Sequence, residues 1–490
     1  MREAPPFDGF IQVPGPNPIL VSGDPGAWDE NLIEACDVLK DQETYYLYYH
    51  GTPADPDKFP HQGYRLGVAT APHPLGPWTK HPDNPVLDLG PEGAWDDASV
   101  ACASILKEGT ETFYLFYSGH HQAQGAGHWG IGVATGPSPA GPWTRYQGNP
   151  LMEDFGYVGA AFKHEGRYWL YTEHPIGSAE AGGGPDYGPI SLAHAERPEG
   201  PWTPYEGNPV LPTGEWGAWD DGGYSEAEVT LREGVFHIFY GAASLHPTRI
   251  RSQESVGYAY SRDGVNFTKS PRNPVAMRER DPGAAAFAEV HHLFEPPLIY
   301  LFHTLRYVPG FRESLEDLGV QVLATQSPFC IPMPVLSLAE LGPGECSSLH
   351  VCPTVSLEHI RSCALTAECT FGSTEGKPSA RSGLRTPEDG IGGLEARPTG
   401  GSETGSGPAH RLPPAGAAGL RLHVRSSADP AGRDYDTVDL AAFDLAPDAG
   451  GPCRQSFDLD CAVRFVKVMV ENLDASRPVR DLKVTATLKG

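Results

Sequence analysis

The chain has 490 residues, a formal charge of −26, and 58 Gly and 49 Pro, which together make up over a fifth of it. That composition excludes helical bundles and coiled coils, because Gly and Pro break helices, and the charge makes a polyanion such as nucleic acid a poor partner. No apolar run of about 20 residues occurs, so no membrane span is expected, and the opening MREAPPFDGF has no secretory pattern, so the expected location is cytoplasmic.

From Asn17 onward the chain repeats. Asn-Pro recurs at Asn17, Asn84, Asn149, Asn208 and Asn273, spaced by 59 to 67 residues. An aromatic run keeps the same phase: YYLYYHG from Tyr45, FYLFYSG from Phe113, YWLYTEH from Tyr168, FHIFYGA from Phe236 and IYLFHTL from Ile299. A third marker follows each run: LGVATAPHPLGPWT, IGVATGPSPAGPWT, ISLAHAERPEGPWT, VGYAYSRDGVNFT and the degenerate VQVLATQSPF. Tyr, Phe, Val and Thr favour strands, and Gly, Pro and Asn punctuate them. Each unit therefore reads as four short strands. Five such units predict a five-bladed β-propeller over residues 1–335. The turns between first and second strands are short, as at Lys40–Thr44. The loops between second and third strands are long, so function is expected at one mouth of the channel.

The strands expected to line that channel carry acids where core residues would stand. Unit one reads GAWDENLIEACDVLKD, unit two GAWDDASVACASILKE and unit four GAWDDGGYSEAEVTLRE. Trp-Asp recurs at Trp28-Asp29, Trp95-Asp96 and Trp219-Asp220, and a feature repeated in three units reads first as architecture. The acids that vary between units are more informative. Glu34 and Asp37 in unit one and Glu226 and Glu228 in unit four are the catalytic candidates, with Asp97 in support. Buried carboxylates without a basic neighbour are costly, which argues for use. Two carboxylates across a funnel are the machinery of glycoside hydrolysis, one donating a proton and one ionised. Asp29, His120, His121, Trp129, Tyr157, Glu289, His303 and Arg306 are the substrate-binding candidates. No metal-ligand spacing occurs, and no cofactor is required, although a structural cation in the channel stays open.

After the last repeat, 336–371 reads as a connector and a first strand. Residues 372–419 are a Gly/Pro/Ser-rich stretch that cannot fill a core. Period-two alternation in LRLHVRSSAD, VRFVKVMVENL and DLKVTATL over 420–490 completes a small β-sandwich, jelly-roll-like in plan. The fold class is thus all-β. The nine cysteines include no CxxC pair and read as reduced thiols, with Cys346 and Cys352 able to bridge in an oxidising compartment.

The five-unit plan, the GPWT elements and the YYLYY strands resemble the five-bladed propeller glycosidases, glycoside hydrolase families 43, 32, 117 and 130, over roughly residues 10 to 335. Family 43 is the most similar. That resemblance implies a general-acid Glu before an aromatic strand, which matches Glu226 in SEAEVTLREGVFHIFY. It implies an acid opening the first unit's inner strand, which matches Asp29, Glu34 or Asp37. The implied activity is hydrolysis of a carbohydrate substrate, with Glu226 as acid and Glu34 as base or nucleophile. Two alternatives remain: a phosphate-dependent glycoside phosphorylase, which needs convergent cations such as Arg249, Arg251 or Arg306, and a non-catalytic carbohydrate-binding propeller.

Overall fold

The computed structural model describes residues 5–59, 62–121, 129–173, 188–225, 228–244, 255–278, 284–307, 316–349, 352–372, 419–427, 439–446, 452–459, 461 and 463–490. Every regular element among them longer than a single turn is a β-strand. No helix there is long and apolar enough to cross a membrane.

Five antiparallel sheets follow one another along the chain. The first joins Leu32–Asp41, Thr44–Thr52, Arg65–Ala71 and Thr79–Lys80 in sequence order, and the second runs outward from Ser99–Glu108. The third starts at Tyr157–His164. In the fourth, Gly223–Tyr224 and Val229–Arg232 both pair with Val235–Ala243. The fifth starts at Ala284–Glu295 and continues through Leu298–Tyr307 and Glu316–Ala324. First strands touch their neighbours: Leu32–Asp41 meets Ser99–Glu108, which meets Tyr157–His164, which meets Val229–Arg232. Val235–Ala243 meets Ala284–Glu295, which returns to Leu32–Asp41. The contacts close into a ring with the first strands innermost.

The fifth sheet takes its outer strand from the start of the chain. Ile11–Pro14 pairs antiparallel with Glu316–Ala324, from Ile11 opposite Ala324 to Pro14 opposite Gln321. The two ends of the ring are thereby joined by hydrogen bonds. The degenerate fifth copy of the repeat has no outer strand of its own to encode.

The repeated Asn has one job in all five sheets. Asn84 accepts the Val68 N–H at 2.9 Å and donates to the Val68 carbonyl at 3.0 Å. Asn149 clamps Val133, Asn208 clamps Leu192 and Asn273 clamps Tyr258 in the same way. Asn17 clamps Val320 from the other end of the chain. An Asn amide offers one donor and one acceptor in the spacing of a neighbouring strand, so it satisfies an edge residue where pairing stops. The Trp-Asp repeat is also architectural. Trp28 stacks on Tyr49 with ring centroids 5.6 Å apart, and Trp219 stacks on Tyr240 at 6.2 Å. Trp95 lies over Gly132, where a Cβ would stand 2.5 Å from the indole.

Beyond the ring lie two more sheets. One orders Cys330–Leu341, Val479–Lys489, Ser362–Phe371 and Pro452–Leu459, and the other Val355–Ser356, Phe465–Asn472, Leu420–Ser427 and Ala441–Leu445. Ser362–Phe371 alternates buried and less buried positions along its length, as the period-two pattern predicts. The strand Cys330–Leu341 begins before the expected boundary at 335 and pairs with the last strand of the chain. Most of the stretch 372–419 lies outside the described residues. One apolar cluster runs through both sheets and into the ring, including Leu482, Val468, Ile331, Phe329, Phe302 and Trp78.

Candidate active site

A compact charged cluster forms where the first and fifth sheets meet. Glu34 is near the start of the innermost strand of the first sheet, directly opposite His50 on the second strand. Arg306 and Glu316 face each other across the second and third strands of the fifth sheet. The two sheets meet where the Ala35 N–H donates to Thr304 Oγ1 at 3.0 Å. This places Glu34 Oε2 2.6 Å from His50 Nε2 and Glu34 Oε1 3.6 Å from Arg306 Nη2. Arg306 Nε lies 2.6 Å from Glu316 Oε1, and the Glu34 and Glu316 carboxyls hydrogen-bond each other. Tyr64 joins them: its hydroxyl hydrogen-bonds Glu34, and its ring lies 4.3 Å from that of His50.

His50 Nδ1 lies 3.1 Å from the Cys102 backbone nitrogen and 3.2 Å from Cys36 Sγ, and its Nε2 faces Glu34; burial opposes its charge, but Cys36 and Glu34 raise it well above the usual imidazole range. Both neighbouring strands are irregular at these cysteines, between Ala35 and Asp37 and between Ala101 and Ser104. Such irregularities re-aim side chains beside functional sites.

The two touching glutamates are driven apart in proton affinity. Burial alone would raise both. For Glu34 the His50 hydrogen bond and charge, the Glu316 hydrogen bond and Arg306 outweigh burial and bring it down to about 2. Glu316 is pushed up to about 8 by burial and then by the Glu34 charge, with Arg306 opposing. Near neutral pH one carboxyl is ionised and the other carries a proton. Arg306 keeps its side chain 33% exposed, so the cluster opens to solvent.

A second cluster lies on the inner strands of the first and fifth sheets and at Glu228. One ligand atom each from Asp37, Glu228 and His291 lie within 4.8 Å of one another. Asp37 accepts backbone N–H groups from Val38 and Ile105, both at 2.6 Å, and Glu228 accepts the His292 N–H at 2.7 Å. Burial raises Asp37 to about 7 against those hydrogen bonds, and burial with the Asp37 charge raises Glu228. Neither ring nitrogen of His291 meets a partner at full hydrogen-bond geometry, although the Ala35 carbonyl is beside it. Two carboxylates and an imidazole suit a divalent cation, and these are the residues that would hold one.

The sequence-predicted residues divide accordingly. Glu34 and Arg306 come together in the first cluster. Glu289, on the inner strand of the fifth sheet, is buried and close enough for its charge to bear on Tyr64. Asp37 and Glu228 stand in the second cluster. Glu226 lies outside the described residues, as do Arg249 and Arg251.

Three candidates serve the architecture. Asp97 Oδ2 accepts the Gly93 N–H at 2.8 Å and Oδ1 pairs with His121 Nδ1 at 2.8 Å. Glu30 and Asp221 accept Gly26 and Gly217 in the same turn, so Asp97 belongs to a repeated cap. Asp29 is 2% exposed and pairs with Lys80 and Tyr49, as Asp96 does with Arg145 and Tyr117. His303 is fully buried: its ring packs on Phe287, its Nδ1 donates to the Thr304 carbonyl, and burial holds it down at about 4.

His120 and Trp129 of the second sheet and Tyr157 of the third form a run of rings, 5.4 and 5.0 Å between successive centroids. His121 and Trp129 line a cavity of about 210 Å³ with Glu153 and Asp154. Sequence reading missed Glu316 and Tyr64. The clamped residues Val68, Val133 and Val320 set the phase of the third strands, and counting back four positions from each gives Tyr64, Trp129 and Glu316. The same repeat position thus carries a site candidate in three sheets, and only Trp129 drew notice.

No protein-family model matches the chain, and no curated protein does. Among solved structures it is similar to a thermostable family-43 glycoside hydrolase, 20% identical, over 63% of this chain and 91% of that one with a TM-score of 0.44. It is similar to a glycosyl hydrolase from Bacteroides ovatus, 15% identical, over 65% and 95% with a TM-score of 0.47. A family 117 glycoside hydrolase from the marine bacterium Zobellia galactanivorans is 16% identical over 66% and 92%, with a TM-score of 0.44.

Proposed function

We propose that the ring is a five-bladed β-propeller followed by a C-terminal β-sandwich that begins at Cys330, and that its mouth hydrolyses a glycosidic bond. The observation that carries this reading is the contact between Glu34 and Glu316 beside the partly exposed Arg306, where His50 and Arg306 hold Glu34 down against burial while burial and the Glu34 charge push Glu316 up. Glu316, pushed up to about 8, keeps a proton near neutral pH and shares it with the Glu34 carboxylate that it touches. A carboxylate held down at about 2 is a poor base there, yet it suits attack on, or stabilisation of, an oxocarbenium-like centre. Glu34 is therefore the nucleophile or electrostatic stabiliser.

The acid and its partner in a glycosidase stand about 5–10 Å apart, with the scissile bond between them. Glu34 and Glu316 touch, so they act from one side of the substrate as a single unit that shares one proton. The general acid in this reading is Glu226, as the sequence resemblance implies. Tyr64 and Arg306 orient the unit, and the rings of Trp129 and Tyr157 supply a stacking face for a sugar. Phosphorolysis has less support: Arg306 is already engaged by two carboxylates, and a phosphate would compete with both.

An aryl-glycoside panel followed by product NMR tests this. Glu34→Gln is expected to lose roughly 100- to 10,000-fold in turnover on every substrate. Glu226→Gln is expected to lose as much on poor leaving groups and little on good ones, which need no proton. Full activity in Glu34→Gln would sink the assignment, and turnover that depends on phosphate would move the reaction to phosphorolysis.

A further inference from the structure

We propose that Cys369 and Cys453 form a reversible disulfide that fastens the edge strand of the C-terminal sheet. The two residues are directly opposite in the antiparallel pairing of Ser362–Phe371 with Pro452–Leu459. Directly opposite residues in such a ladder have Cα atoms about 4.5–5.5 Å apart, inside the roughly 4.4–6.8 Å range that a disulfide spans. Their thiols are already in hydrogen-bond contact. Cys369 is also the residue that the ladder on its other side passes over, since pairing with Val479–Lys489 is irregular between Glu368 and Thr370. That irregularity leaves its backbone room to bring the two Cβ atoms together.

The position gives the bond a consequence. Pro452–Leu459 ends its sheet, and among the described residues Ser362–Phe371 is its only partner. Most of its side chains are exposed or half-exposed, so little apolar burial holds it. Edge strands of this kind open most readily. A cross-link at Cys453, near its first residue, restrains that opening.

The chemistry balances with a low-molecular-weight disulfide as oxidant. The half-buried Cys453 thiolate attacks one sulfur of oxidised glutathione and releases one glutathione thiol. The Cys369 thiolate then attacks the Cys453 sulfur of that mixed disulfide and releases the second. The two protein thiols lose two electrons and two protons, and the glutathione disulfide takes up both. A second thiol pair lies at the far end of the same ladder: Cys363 is opposite Leu459, and Cys461, beyond the end of that strand, is near enough for its charge to bear on Cys363, so this pair is the competing linkage.

The test uses the full chain, reduced, then held in a glutathione redox buffer, alkylated and mapped as non-reduced peptides. The expected result is one Cys369–Cys453 linkage, with alkylatable thiols falling from nine to seven and returning to nine on reduction. Amide exchange along 452–459 is expected to slow in the oxidised form. Cys453→Ser and Cys369→Ser should each show no linkage and no change in exchange on oxidation. Alkylation of both Cys369 and Cys453 after oxidation would overturn the proposal. So would a Cys363–Cys461 bridge as the main product, or glutathione adducts confined to the exposed Cys330 and Cys346.

Discussion

Two glutamates in contact set the behaviour of the mouth, and their opposite shifts make it pH-dependent in a definite sense. Glu316 rises from 4.5 to about 8 on folding. Its contribution to stability is complete below about 4.5 and is lost as pH rises through 8. Glu34 falls from 4.5 to about 2, so its contribution is present above about 4.5 and is lost as pH falls through 2. Glu316→Gln keeps the neutral shape and cannot ionise. We expect this variant to keep its denaturation midpoint between about pH 5 and 8, where the parent chain loses stability. Chemical denaturation at stepped pH reads this directly, and parallel curves for the two chains would refute it. Residue types alone could not have shown this pair. Glu34 was legible because an acid on an inner strand is conspicuous. Glu316 was not, because it opens a third strand in the copy whose GVAT signature has decayed to GVQVLAT.

At the scale of elements, the repeat was readable wherever one residue carries one task. Each Asn-Pro marks an Asn that clamps a third strand, and each Gly-Ala-Trp marks a turn whose glycine adopts positive φ, 85° at Gly26 and 86° at Gly93. Those tasks need the same residue in every sheet, so they leave a period in the sequence. Ring closure leaves none. The strand Ile11–Pro14 serves sheet five from some 300 residues away, and nothing local distinguishes IQVP from any short apolar segment. Its register is secured by Gln12, which donates to Gln321 Oε1 at 2.9 Å and to the Met277 carbonyl at 3.0 Å, and accepts the Met277 N–H at 2.9 Å. Gln12→Ala therefore removes a buried side chain's bonds at the one joint where the ring is held without a peptide link. The expected cost is about 1–3 kcal/mol. Amide exchange should speed up along 316–324 before it does in the first three sheets. Uniform acceleration over all five sheets would argue against a special role for this joint.

The whole molecule is held by an apolar cluster that runs across the ring and the C-terminal sheets. Val13, Tyr300, Val320 and Val322 from the fifth sheet, Leu47 and Tyr49 from the first, and Leu365, Val468 and Leu488 from the C-terminal sheets belong to one buried set. Phe329 carries the chain across: it is 4% exposed, and the last residue, Gly490, hydrogen-bonds back to it at 3.3 Å through its N–H. Each large apolar side chain taken out of water contributes roughly 1.5–3 kcal/mol. Removing one layer therefore exposes a continuous patch of the other. A chain ending at Phe329 should lose solubility or associate, since exposed apolar patches of that extent drive association. The intact protein should unfold in a single calorimetric transition, with the calorimetric and van't Hoff enthalpies in agreement. Two separated transitions, together with a monomeric, active ring from the truncated chain, would show that the C-terminal sheets are only tethered. A single transition would tie the mouth to the far sheets, because the fifth sheet, which holds Arg306 and Glu316, shares its apolar side with them.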